Sequence, residues 1–227
     1  MSAAPDPAAA VDAGATHGFA PRESDALLVI DVQNDFCAGG ALEVPDGDAV
    51  VPVANALMAR FAAVVLTQDF HPAGHSSFAS EHPGRAPFET VTMAYGEQTL
   101  WPDHCVQGTA GADFHPGLDV GRGQLIVRKG FRRGIDSYSA FRENDRRTVT
   151  GLAGWLRERG VRRVVCVGLA LDFCVAYTAR DARREGFEAL VLEAGCRGID
   201  LAGSVEAARR EMRAAGVALD AGGPPGA

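Results

Sequence analysis

Residues Leu27 to Gly40 read LLVIDVQNDFCAGG, and the fold turns on how this stretch is understood. Its first half belongs to ALLVIDV (Ala26 to Val32), a continuous, β-branched apolar run broken only by Asp31. A run without polar alternation predicts a strand covered on both faces, as in a parallel sheet. A carboxylate at the end of such a strand is costly unless it meets partners. Asp31 therefore asks for a role; Gln33, Asn34 and Asp35 follow it.

Outward from this strand the pattern alternates. Val50, Val53, Ala54, Leu57, Met58 and Phe61 fall on one helical face, with Pro52 tolerated in the first turn. AAVVLT (Ala62 to Thr67) predicts the next strand, and Gln68 to Gly123 shows little periodicity. So long an irregular segment inside a compact domain usually carries function. QLIVRK ends a third strand on Lys129, and a helix is expected from about Thr148 to Arg159, with Val149, Leu152, Ala153 and Leu156 on its buried face. RRVVCVGLA, a helix from Asp172 or Phe173 to Gly186, FEALVLE, a helix over Leu201 to Ala215 and a short GVALD strand complete the series. Strand–helix alternation with right-handed crossovers predicts an α/β fold: a three-layer α-β-α sandwich around a mostly parallel six-stranded sheet. In such sheets the ligand site lies beyond the carboxyl ends of the strands. Asp31, QDFHPAGH, Lys129 and LDFC all fall there.

The chain has 227 residues, enough for one domain with a sizeable core. The expected division is a flexible tail over residues 1–22, a single domain over 23–218 and a second tail over 219–227. A net charge of -7 argues against a nucleic-acid partner, and no apolar run approaches the roughly 18 to 20 residues of a membrane helix. The first twenty residues lack the basic start and apolar stretch of a signal peptide. Five cysteines without a C-x-x-C pair suit a reduced, cytoplasmic chain. Of 22 basic residues, Lys129 is the one lysine. A compact ammonium is wanted there where a wide guanidinium would not serve.

Cys174 begins a helix directly after a buried strand, where amides and a nearby cation favour thiolate and two backbone N–H groups can hold an oxyanion. A plain core cysteine is the competing reading, and for Cys166, in mid-strand, it is the favoured one. Asp31, Lys129 and Cys174 on one edge form a base, a cation and a nucleophile. Asp69, His71 and His75 in DFHPAGH form a second cluster with His104 in WPDHC: an Asp and a His two apart on a loop can face one metal ion, with a His from the distant loop closing the set; solvent-exposed or hydrogen-bonded histidines are the alternative. Phe36, Trp101 and Tyr138 are aromatic residues apt to sandwich a flat ring, or simply to pack.

VIDVQNDFCAGGAL, TQDFHPAGHSSFAS, LWPDHCVQGTAGADFHP, RKG followed by DSYSAF, and VGLALDFCVAYTARDA with GCRG resemble the nicotinamidases of the isochorismatase-like cysteine hydrolase family. The likeness runs in order from about Asp25 to Ala215. It implies an Asp31–Lys129–Cys174 triad, and Asp69, His71 and His104 as ligands of one divalent metal, zinc by preference, iron or manganese otherwise. His75 lies near a position that joins the metal in some members. The resemblance further implies a cis peptide at Leu169–Ala170 that turns the Ala170 and Cys174 amides into an oxyanion hole, with Phe36 and Trp101 flanking a pyridine ring. The implied activity is hydrolysis of nicotinamide, with pyrazinamide as a side substrate; a homo-oligomer is compatible with it. Leu171, Phe173 and Ala194 depart from the residues usual in the family. The competing readings are another amidase or isochorismatase of this fold, or a non-catalytic ligand-binding member.

Overall fold

In a computed structural model describing residues 19–221, the opening run forms strand β1 (Asp25–Ile30), buried along its whole length. It pairs in parallel with β2 (Ala63–Asp69) on one side and with β6 (Arg163–Leu169) on the other. Six strands, including β5 (Leu125–Lys129), β7 (Glu188–Arg197) and β8 (Ala218–Asp220), lie in the order β5-β2-β1-β6-β7-β8, all parallel. The predicted α/β fold is therefore observed, with every pairing in this sheet parallel rather than most of them.

Helix α1 (Val50–Met58) packs on β1, β6 and β7, while α3 (Ala176–Arg184) packs on β6, β7 and α4 (Ser204–Ala214). With β1, β2 and β6 shielded on both faces, the layers close around one core. The chain moves outward from β1 to β2 and β5, then returns to β1's other flank with β6. The reversal between β1 and β6 creates the crevice in which a doubly wound sheet binds its ligand.

Several boundaries differ from expectation, each for a local reason. The helix expected from Thr148 begins later, as α2 (Leu152–Glu158), after Gly151 at φ 94°. Asp145 accepts hydrogen bonds from the Arg147 and Thr148 amides, and Val149 pairs with Arg142 in a short antiparallel bridge. Val149, expected on the buried face, is 61% exposed. The helix expected from Asp172 opens instead as a π turn over Leu171–Val175, in which the Val175 amide reaches back to Ala170 O at 3.1 Å. The long irregular segment contains a hairpin, β3 (Thr90–Met93) with β4 (Gly96–Thr99), too short and polar to show periodicity.

Chain ends also shift. Phe19 stacks on Phe61 with ring centroids 6.0 Å apart, and the Arg22 amide donates to Asp25 Oδ2, so residues 19–22 pack on the domain. Leu219 and Asp220, assigned above to the C-terminal tail, belong to β8. Residues 1–18 and 222–227 of the expected tails lie outside the described residues.

Gly168 closes β6 against β1. At φ +116° it sits where L side chains are strained, and a Cβ there would lie 2.1 Å from Ile30 O. Replacing Gly168 with Ala should destabilise the fold by about 2 to 5 kcal/mol. Chemical denaturation measures this, and an unchanged midpoint would contradict the packing described here.

Candidate active site

The carboxyl ends of β1, β2, β5 and β6 bring Asp31, Asp69, Lys129 and Cys174 together. β2 and β5 place Asp69 opposite Lys129 in register. Lys129, with no solvent exposure, extends its Nζ to Asp31 Oδ2 at 2.8 Å, Asp69 Oδ1 at 2.9 Å, Ser137 O at 3.0 Å and Cys174 Sγ at 3.3 Å. Asp31 takes φ 49°, and its Oδ1 accepts the Thr67 hydroxyl at 2.6 Å. Ligand atoms of Asp31, Asp69 and Cys174 all lie within 4.8 Å of one another. The predicted base, cation and nucleophile are thus one cluster.

Burial and the charges around each group together set the protonation of this cluster. It would strip the Lys129 proton, but Asp31 and Asp69 reverse that and hold the ammonium well above its usual pKa. Burial pushes the Asp31 carboxyl up against the opposing pull of Lys129. Burial raises Asp69 too, yet His71 and Lys129 outweigh it and keep this carboxyl well below the usual range. For Cys174 the expectation reverses. Burial pushes the thiol well above its ordinary value, Lys129 offsets only part of this, and Asp31 adds to it. A thiol held this way would have to give up its proton before the sulfur could attack an electrophile.

Asp69 faces two ways. Its Oδ1 meets Lys129, while Oδ2 lies 3.3 Å from His71 Nε2 and 3.5 Å from His104 Nε2. The Nδ1 atoms donate to Gly130 O at 2.9 Å and to Pro102 O at 2.8 Å. Pinning Nδ1–H to a carbonyl leaves Nε2 for a proton shared with Asp69 or for a metal. His71 Nε2 is buried without a hydrogen-bond partner, and a carboxylate oxygen with two imidazole nitrogens makes an open donor set for a divalent ion. These three residues fit a metal.

His75 does not join them. Its Nε2 donates to Arg132 O at 3.0 Å and Ile135 O at 3.2 Å, and its Nδ1 pairs with the Ser77 hydroxyl at 2.8 Å. Burial and the neighbouring His71 push its pKa down, which keeps it neutral in this role. Cys37, Asp48 and His115 also bring donor atoms within 4.8 Å. There the Gly117 amide donates to His115 Nδ1, so the ring proton sits on Nε2, 3.2 Å from Asp48 Oδ1. That arrangement is a hydrogen-bonded pair, with no ring nitrogen ready for a metal.

Between Cys174 and the Asp69–His71–His104 set opens a narrow cavity lined by Phe36, Trp101, Tyr138, Phe173, Asp136 and Ala170 together with Cys174, Asp69 and His104. The three aromatic residues singled out in the sequence all reach it. Of the departures from the family pattern, Phe173 lines the cavity edge-on to Trp101, ring centroids 4.8 Å apart, whereas Leu171 and Ala194 are not among the lining residues. The Leu169–Ala170 peptide is cis, placing Ala170 at the cavity wall beside Cys174. Cys166 is buried in mid-strand, and all five cysteines are free thiols.

Some functional neighbours escaped the sequence reading. Asp136 lies within the DSYSAF motif, but its carboxylate reads there as an ordinary loop residue. Gln33 is fully buried: its side chain accepts from the Asp69 amide and donates to Asp69 O, both at 2.8 Å. Asp35 Oδ2 accepts the Cys105 amide at 2.6 Å, fixing the residue after His104. The period-two spacing of Asp31, Gln33 and Asp35 was the available signal.

Comparison with known proteins places this geometry in context. The family model described as Isochorismatase domain matches residues 25–221. A nicotinamidase of Acinetobacter baylyi is 54% identical over 192 residues, which cover 85% of this chain and 90% of the relative. The solved Acinetobacter baumanii nicotinamidase and pyrazinamidase superposes with a TM-score of 0.87 at 54% identity, over 88% of this chain and 97% of its own. The zinc complex of the Pyrococcus horikoshii pyrazinamidase gives a TM-score of 0.71 at 36% identity, covering 86% of this chain and 98% of that one. Among the described residues, no helix is long and apolar enough to cross a membrane. With its all-parallel sheet, its crevice at the β1–β6 reversal and a family match across nearly the whole described chain, the protein belongs to the isochorismatase family of hydrolases.

Proposed function

We propose that this chain hydrolyses nicotinamide to nicotinate and ammonia through a thioester on Cys174, with residues 23–220 acting as one hydrolase domain. The observation that carries the reading is the position of Lys129. Its ammonium joins a carboxylate and a thiol beside a narrow cavity walled by aromatic rings. Nicotinamidase relatives at high identity support the substrate.

In this mechanism Asp31 removes the Cys174 proton as sulfur attacks the carboxamide carbon. The raised Asp31 carboxyl suits it to hold that proton, and Lys129 balances the charge developing on sulfur. The carbonyl oxygen becomes an oxyanion facing the Ala170 and Cys174 amides, each such donor being worth about 2.7 to 4 kcal/mol. Asp31 then protonates the departing nitrogen, the C–N bond breaks, and ammonia leaves a thioester. Asp31 next deprotonates a water that attacks the thioester carbon; the C–S bond breaks, the sulfur regains that proton from Asp31, and nicotinic acid departs, becoming nicotinate as its own proton passes to the released ammonia.

Asp69, His71 and His104 would hold one divalent ion, zinc by preference, supplying a Lewis-acidic point beside the cavity for the ring nitrogen. Phe36 and Trp101 would flank the ring, with Tyr138 and Phe173 completing the wall. Pyrazinamide offers the same ring and amide and should be turned over as well. Five free thiols suit a reducing, cytoplasmic setting.

Replacing Asp31 with Asn should leave the chain folded and lower turnover of nicotinamide by about 10²- to 10⁴-fold. Ammonia release measures this, and near-normal activity would sink the assignment of the base. Chelation should remove activity and one divalent ion should restore it; full turnover by enzyme shown metal-free by elemental analysis would take the metal out of the reaction. Benzamide, lacking the ring nitrogen, should be turned over far more slowly than nicotinamide, and equal rates would contradict the placement of the ring.

A further inference from the structure

The hairpin β3–β4 sits away from the reacting groups, yet one of its side chains points inward. Gln98, on β4, is 1% exposed. Its Nε2 offers two N–H groups to three oxygens, Asp136 Oδ2 at 2.6 Å, Thr99 O at 2.7 Å and the Tyr138 hydroxyl at 2.9 Å, so one N–H is shared between two of them. Its Oε1 faces the Tyr95 hydroxyl at 3.1 Å and Asn144 Nδ2 at 3.3 Å. A carboxylate and a backbone carbonyl are obligate acceptors, so they fix which end of the amide is nitrogen. With acceptors around one end and donors around the other, the amide has one orientation.

That orientation reaches the cavity. The Tyr138 oxygen also accepts Trp101 Nε1–H at 3.0 Å, so the indole is tied through the phenol to Gln98. Trp101 and Tyr138 lie edge-on, ring centroids 6.2 Å apart, and both line the cavity with Asp136. Asp136 accepts the Ser137 amide at 2.8 Å, and Ser137 O accepts Lys129 Nζ, so the same short segment also borders the reacting cluster. Packing alone would leave the two rings free to adjust; the hydrogen bonds fix their edges.

We propose that Gln98 is a positioning residue for ring recognition: it holds the Tyr138 hydroxyl and through it the Trp101 indole at the angle the flat substrate requires. This rests on the nicotinamide reading for its substrate, though not for its geometry. Gln98 does not touch the reacting atoms, so its loss should weaken binding of the ring more than the chemistry on the amide.

The test compares Gln98→Met, Tyr138→Phe and the double variant in the full-length, metal-loaded enzyme. Each single variant should raise KM for nicotinamide by about three- to tenfold, the scale of one hydrogen bond, with kcat changed by less than about twofold. Because Gln98 acts through Tyr138, the double variant should be no worse than Tyr138→Phe alone. In a Trp155→Phe background Trp101 is the remaining tryptophan, and its emission should shift in both single variants. Unchanged KM and unchanged Trp101 emission in Gln98→Met would overturn the proposal, as would additive losses in the double variant. Should Gln98→Met fail to fold, Tyr138→Phe decides: it removes one oxygen and keeps the ring, and an unshifted Trp101 emission there overturns the proposal. A wild-type enzyme inert toward nicotinamide would defeat the substrate reading instead, while the emission shift still decides the role of Gln98.

Discussion

A lysine ammonium sealed from water must be neutralised by the protein, and Lys129 shows how much of this molecule is arranged for that purpose. Desolvating such an ion costs several kcal/mol, and removing one partner from a buried pair costs about 3 to 5 kcal/mol. Two carboxylates, a backbone carbonyl and a thiol surround Nζ. Each is delivered from the carboxyl end of a strand or from a loop just beyond one. The parallel sheet is the frame that lets four separate chain segments meet one nitrogen to within 3.3 Å.

The consequence is a site in which charge is shared rather than local. Asp69 gives one oxygen to Lys129 and the other to the His71 and His104 pair, so the cluster around Lys129 and the donor set for a metal meet in a single carboxylate. The opening stretch supports both halves: Asp31 meets the lysine, Gln33 clamps the backbone of Asp69, Asp35 holds the amide after His104, and Phe36 enters the cavity wall. Thus the polar residues that end a buried strand are spaced to brace successive parts of one site. An arginine fork in place of Lys129 would have to fit the same enclosed space among oxygens placed for a compact ammonium, which accounts for the one lysine in the chain.

Much of this was legible in the sequence because strand ends are well marked. Asp31, Asp69 and Lys129 each close an apolar run, and Cys174 follows one after a tight turn, so topology alone assigned them to a common edge. What stayed hidden was set by packing. Gln98 and Asp136 look like solvent-facing polar residues until the hairpin buries them against each other. The Cys174 thiol was expected to be acidified by its helix terminus, but burial outweighs the lysine. Val149, Leu152, Ala153 and Leu156 have apolar spacing for a helix, yet the Asp145 carboxylate captures the Arg147 and Thr148 amides and the helix starts later. In each case a contact distant in sequence, or a competing local hydrogen bond, overruled periodicity.

The most direct test is rapid-quench mass spectrometry of the metal-loaded enzyme mixed with nicotinamide, following the peptide that carries Cys174. The account predicts a transient nicotinoyl adduct on that cysteine, formed with ammonia release and lost as nicotinate appears. Nicotinate formed at the full rate by a Cys174→Ala variant, in which no such adduct can exist, would contradict it.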